Sequence, residues 1–342
     1  MPTIRDVAVR AGVHPSTVSR VFSGKPYISQ ATRERVLEAA EALGFQPNAI
    51  ARSLTLQRTN MLAIVVPHVF DGYFDDSFFP QVMRGLLQVA YKYGYRVLVG
   101  GSGGHMDEVT QLYDIVGSRQ ADGVIILSHR LDVDVIGALL EFNIPFVVIG
   151  RPDIPTAEVA WVESQDRHYT AEVIRYLIGL GHRRIAFVGG DPDVAVTVER
   201  LLGYQTALAE AGIEPLPEWV DYGFFAEDGG YQAVQRMIRL GSRAPTAYYA
   251  ANDLMALGIL RALRERHIPV PEAVSVVGTN GSLATAHTHP ALTTLYVPYA
   301  EMTARAASIL IRSIQTGEKP REQSQVECQL LIRASTGPAP TD

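Results

Sequence analysis

Two hydrophobic periods divide the chain. From Thr3 to Gly24, TIRDVAVRAGVHPSTVSRVFSG, apolar residues recur at helical spacing in two short runs. Ile4, Val7, Ala8 and Ala11 form the first stripe; Val18, Val21 and Phe22 form the second. Thr3 is placed to N-cap the first run, with Asp6 three residues on as a weak capping box. Gly12 suits a helix end that needs left-handed backbone. Pro15 fits the opening turn of the second helix, where a missing N–H costs nothing. Ser16, Thr17, Ser19 and Arg20 then lie on the outer face. A third helix runs from Ser29, its N-cap, to Leu43, closed by Gly44, with Val36, Leu37, Ala40 and Leu43 on the buried side. Three such helices make a compact head over residues 1–46.

Gln46-Pro47-Asn48 breaks the pattern. The next segment, AIARSLTLQRTN, is too short to hold a helix in isolation. It is either a linker that orders on a partner, with Leu54 free to wedge into a groove, or a plain tether whose Leu54 packs on the body. From Met61 the period changes to strands alternating with amphipathic helices. Strands are predicted at 62–67, 95–101, 121–128 and 144–150, with helices at 79–93, 107–119 and 133–142 between them. The pattern restarts with helices at 169–180, 199–211, 230–240 and 253–265 and strands at 183–190, 218–225, 246–251 and 273–280. This repetition predicts an α/β body of two lobes, each a parallel sheet covered on both faces. Ligands of such sheets sit beyond the carboxyl ends of the strands, which here can face one another across a cleft.

Charge sharpens the division. Residues 1–60 carry eight Lys/Arg against four Asp/Glu, and the remaining 282 carry 22 against 32. A basic head on an acidic body suits a phosphate backbone at one end only. On a short exposed helix, Arg20 can fork onto guanine, while Ser and Thr can bond bases or phosphates. Lys25, Tyr27 and Arg33 are candidate phosphate contacts. A helical hairpin with a merely solvated face is the alternative. One cysteine, Cys328, leaves no disulfide or cysteine-based zinc site within one chain. The start of the chain has no apolar run of signal-peptide length and no stretch approaches a membrane span, so a soluble cytoplasmic protein is expected.

The order and spacing of TIRDVAVRAGVHPSTVSRVFSG, ATRERVLEAAEALGFQPNAIARSL, GLGHRRIAFVGG, ERLLGYQTAL, AANDLMALG, PALTTL and the closing IRAST resemble the LacI/GalR family of transcriptional regulators over essentially the whole length. The resemblance implies a helix-turn-helix head (1–46), a hinge helix and linker (47–60), and a core similar to periplasmic sugar-binding proteins (61–342). Within that core it implies a first lobe of about 61–162 and 292–323 and a second of about 163–291 and 324–342. It implies a homodimer, or a dimer of dimers, on a palindromic operator. No heptad repeat follows Arg333, which favours the dimer. Matched motif to motif, Pro15, Ser16 and Arg20 stand where bases are read, Thr17 where a phosphate is held, and Ala51 and Leu54 where the hinge enters the minor groove. His14 replaces the usual serine, which would alter capping of the second helix.

The same matching implies an effector site. Phe78 and Phe79 stand where an aromatic pair lines the cleft, after a run, HVFDGYFDDS, longer and more acidic than usual. Arg200 stands where an arginine clamps the ligand, Phe225 where an aromatic stacks on it, and Asn252 and Asp253 at polar ligand-facing positions. Asn280 replaces the usual aspartate, Val297 a common glutamine, and His68 is a looser assignment. Each residue has a structural alternative: core packing for Phe79 and Phe225, an ion pair for Arg200, a helix cap for Asp253.

Three classes compete: an effector-controlled repressor, a transport-type binding protein, and a nucleotide-dependent α/β enzyme. The basic head and the absence of a signal sequence count against the second. Against the third, no nucleophile–base pair, metal cluster or phosphate fingerprint stands at a motif position. GGSGGH (100–105) lacks both the GxGxxG spacing and a following GK[ST]. A non-enzyme without cofactor or metal is expected, with a mono- or disaccharide as effector and a nucleobase or other small metabolite as runner-up.

Overall fold

The computed structural model describes residues 2–23, 27–46, 58–66, 76–101, 107–127, 135–152 and 159–341. Lys25, Ala51, Leu54 and His68 lie outside them. The head has three helices, α1 (Ile4–Ala11), α2 (Pro15–Phe22) and α3 (Gln30–Ala42). Thr3 and Asp6 form the expected capping box, and Gly12 takes a φ of 63° at the end of α1. His14 caps α2 in place of serine: its ring Nδ1 accepts the Ser16 N–H at 3.3 Å. Val7, Val18 and Val36 meet at the centre of the head, with Phe22 and Phe45 in ring contact at 5.7 Å. Leu37, expected inside, is 45% exposed, because Ala39 faces inward beside Val36 and Ala40 instead.

The body holds two six-stranded sheets. The first uses β1 (Met61–Val66), β2 (Arg96–Gly101), β3 (Gly123–Leu127), β4 (Phe146–Ile149) and β5 (Ala160–Glu163), ordered β2-β1-β3-β4-β5 and all parallel. On one face lie α5 (Asp107–Gly117) and α6 (Val135–Phe142), packing Leu112, Ile136 and Leu139 on Val124 and Ile126. On the other lie α4 (Phe78–Lys92) and α11 (Tyr299–Thr316). These two helices touch closely at Gly85, where an added Cβ would run into the Ala300 carbonyl and the Thr303 hydroxyl.

The second sheet uses β6 (Ile185–Gly189), β7 (Val220–Tyr222), β8 (Ala247–Ala250), β9 (Ser275–Asn280) and β10 (Thr293–Tyr296), ordered β7-β6-β8-β9-β10 and all parallel. Helices α7 (Asp166–Gly179) and α8 (Ala195–Glu210) cover one face, α9 (Glu227–Met237) and α10 (Asp253–Glu265) the other. The strand expected at 218–225 is only three residues long, because Phe224 and Phe225 turn to φ of 52° and 60°.

The chain crosses between lobes three times. Strand pairing moves two of the expected boundaries. Thr293–Tyr296 belongs to the second lobe, since it pairs with β9, so the return to the first lobe falls at 297–298 rather than about 292. Residues 323–325 form β11 (Gln323–Gln325) beside β5, and β12 (Gln329–Leu331) runs antiparallel to β10, so the last crossing falls between 325 and 329. His182 ties the closing segment to the second sheet: buried, it meets Thr246 and Ser275 at 3.0 Å and the Gly337 carbonyl at 3.1 Å. Burial holds that imidazole below its usual range.

Candidate functional site

Residues at and beyond the carboxyl ends of β4 and β5 in the first sheet and of β6, β8 and β9 in the second share one cavity. Its volume is about 860 Å³, within the range of small-molecule sites. Phe78, Arg200, Phe225, Asn252 and Asn280, five of the expected effector residues, line it.

Phe78 opens α4 and presents its ring edge-on to Tyr299 of α11, 4.6 Å between centroids. Phe225 sits at the second lobe's edge in the left-handed region, a conformation that costs an aromatic residue energy and needs support. Its ring lies over Gly190, where any Cβ would strike it. Glycine at the end of β6 is therefore what lets the ring reach the cavity.

Asn252 caps α10, its Oδ1 accepting the Met255 N–H at 2.9 Å. Its Nδ2 donates to the Phe225 carbonyl at 2.8 Å and to Asp76 Oδ2 at 2.6 Å. Asn280 donates from Nδ2 to Asp76 Oδ1 at 2.9 Å and accepts from the Tyr299 hydroxyl at 2.9 Å. Arg200, fully buried on α8, pairs with Asp166 at 2.7 Å and donates to the Ala251 carbonyl and to the Tyr299 hydroxyl, the latter at 3.2 Å. Burial opposes its charge, but Asp166 and the surrounding tyrosine hydroxyls outweigh that and hold the guanidinium protonated well above its usual range. Arg200 thus makes the ion pair of the structural alternative, while its position still faces the cavity. Glu163, also lining the cavity, is pushed upward by burial despite a 2.7 Å hydrogen bond from Gln325.

Two expected residues do not reach the cavity. Phe79 is buried in the core, whereas its neighbour Phe78, packed on the edge of that core, also lines the cavity. Successive helical residues lie about 100° apart, and the rotation of α4 turns Phe78 to the cavity and Phe79 away from it. Asp253 lies behind the cavity, accepting from Thr294 at 2.5 Å and from the Ser282 N–H at 2.6 Å. Burial pushes its carboxyl up to about 7.

Sequence reasoning missed Asp76 and Tyr299. Asp76 was hidden in an acid-rich run, and only its place two residues before the α4 start, where it accepts the Phe78 N–H at 2.9 Å, could have marked it. Tyr299 opens a helix for which no element was predicted.

In the head, Ser16 and Arg20 are exposed on α2, Pro15, Thr17 and Ser19 partly so, and Tyr27 is 66% exposed. Arg33 instead turns inward, donating to the Val21 carbonyl at 3.4 Å. Among the described residues, no helix is long and apolar enough to cross a membrane.

Comparison with known proteins agrees with this division. Residues 3–48 match the family of bacterial regulatory proteins, lacI family, and residues 174–336 match the periplasmic binding protein-like domain. The chain is 37% identical to the HTH-type transcriptional regulator CelR of Thermobifida fusca over 339 residues, 98% of each chain. A solved transcriptional regulator CelR–cellobiose complex superposes with a TM-score of 0.75 at 33% identity, covering 98% of this chain and 100% of that one. The lac repressor dimer bound to operator and the anti-inducer ONPF superposes with a TM-score of 0.86 at 26% identity, covering 98% and 99%.

Proposed function

This chain belongs to the LacI family of DNA-binding transcriptional regulators, and from that premise we propose that it is a cytoplasmic repressor whose hold on a palindromic operator is set by a carbohydrate bound between its lobes. In this reading α2 enters the major groove. Pro15, Ser16 and Arg20 read bases, while Thr17 and Tyr27 contact the backbone, supported by the exposure of Ser16, Arg20 and Tyr27 and the partial exposure of Pro15 and Thr17. Ala51 and Leu54 act in the minor groove, as the family resemblance implies. Two copies bind one operator, with a dimer of dimers as the alternative assembly.

The observation that carries the effector reading is the shared cavity. It has an aromatic ring from each lobe, Phe78 and Phe225, beside buried amides and carboxylates. Aromatic faces suit the C–H faces of a sugar ring, and paired amides and carboxylates suit its hydroxyls. The CelR structure, whose ligand is cellobiose, adds weight from a relative. A nucleobase or another small metabolite is the runner-up ligand. Phe78, Arg200, Phe225, Asn252 and Asn280 are the proposed contacts, joined by Asp76 and Tyr299. Ligand binding favours one lobe arrangement, and operator affinity changes only by that differential preference.

The test is a thermal-shift screen of mono- and disaccharides, cellobiose among them, followed by gel shifts on palindromic duplexes with and without the hit. A saturable rise in melting temperature and a changed operator affinity are expected. A protein with no preference for any palindrome over random duplex overturns the regulator reading. One that prefers a palindrome but responds to no sugar overturns the carbohydrate alone.

A further inference from the structure

Asp76 is the only group of the first lobe that both asparagines of the second lobe reach among the described hydrogen bonds. Its surroundings fix which way those amides point. The Asn252 oxygen is committed to the Met255 N–H, so its nitrogen must face Asp76, and its two N–H groups are taken by Asp76 and the Phe225 carbonyl. The Asn280 oxygen receives the Tyr299 hydroxyl, so its nitrogen also faces Asp76. Turning either amide over would set an oxygen against a carboxylate. The amides therefore present Asp76 with donors, and the cavity receives the carboxylate, an acceptor-only group.

Among the described residues, the one buried cation that lines the cavity is already engaged. Arg200 is neutralised by Asp166 and bonded to the Ala251 carbonyl and Tyr299. Arg151, Arg167, His168 and Arg175 line the same cavity but are exposed, where water and salt weaken them, and Arg175 is paired with Glu210. An anion drawn into the cavity would lose hydration beside a fixed carboxylate without gaining a buried counter-charge.

Resting on the carbohydrate-type cleft argued above, we propose that Asp76 is a specificity-determining residue: it makes the site select uncharged, donor-rich ligands and reject anionic ligands of the same skeleton. The Asp76 carboxylate accepts ligand hydroxyls directly and holds Asn252 and Asn280 in the orientation that accompanies this choice.

The experiment is isothermal calorimetry on the full chain with matched pairs: glucose and glucuronate, cellobiose and cellobiouronate, adenosine and AMP. For the pair containing a binder, the uncharged member is expected to bind about tenfold tighter or more. Asp76→Asn should bring the two members within about threefold, chiefly by admitting the anion. Asp76→Ser, which keeps an oxygen to cap α4, is the second variant should Asp76→Asn melt early. Equal or tighter binding of an anionic member by the wild type overturns the inference, as does an unchanged ratio in both variants. Adenosine binding over AMP with no sugar bound overturns the carbohydrate reading and supports the inference. Silence from every pair counts against both.

Discussion

Arg200 and Asp166 lie 2.7 Å apart with side chains 3% and 13% exposed, one from the middle of a helix and the other from the first turn of the helix packed against it. Neither charge has water enough to stand alone. Arg200→Ala is expected to cost about 3–5 kcal/mol in denaturant unfolding, because Asp166 is left buried without its partner. Asp166→Asn together with Arg200→Met should recover much of that loss. Calorimetric affinity for the effector should fall in both. Unfolding unchanged by Arg200→Ala would show the pair to be energetically idle.

Gly190 leaves room for one ring. Gly190→Ala is expected to push Phe225 out of the cavity, at about 1–3 kcal/mol of stability for the collision. Effector affinity should drop as far as it does in Phe225→Ala. If the alanine variant binds the effector like the wild type, Phe225 is not a stacking surface.

Arg20 stands exposed on α2, the helix proposed to enter the major groove. Arg20→Ala should relax base choice at one operator position and cost about 1–3 kcal/mol. A gel-shift panel of single-base operator variants reads both effects, and log affinity should fall linearly with log salt. Wild-type selectivity in the variant would remove Arg20 from the reading set.

Asp253 gives the fold a pH signature. Its carboxyl rises from 3.8 to about 7 on folding because burial disfavours the charge. The folded chain thus holds an extra proton between those values, so this group's contribution to stability declines as pH rises through that window and is fully lost above about 7. Wild-type stability relative to Asp253→Asn should fall by roughly 2–4 kcal/mol between pH 4 and 8. Comparing the two chains cancels the opposite demand of His182, which must stay neutral and weakens the fold as pH drops below its usual range. A constant difference across that range would mean Asp253 is ionised throughout.

Local pattern alone was enough for the head and for most of the alternating strands and helices between Met61 and Asn280. Thr3, Asp6, Gly12 and Ser29 mark helix ends through hydrogen bonds to backbone a few residues away, and the β-α alternation needs only the period of apolar residues. Five residues that line the cavity were also legible, because the family's motifs fall at their positions. Facing was not. Phe78 and Phe79 look alike in the sequence, and only the rotation of α4 against α11 sends one to the cavity and the other to the core. The same holds for Asn252 and Asp253, neighbours separated by a helix cap. Asp76 became visible only in three dimensions, since the asparagines it meets lie 176 and 204 residues away and no period in the chain encodes a distance of that kind. Where strand pairing decides, at Thr293–Tyr296 and at Gln323–Gln325, the lobe a segment joins depends on which sheet edge is open to it, a property of the assembled body rather than of the segment.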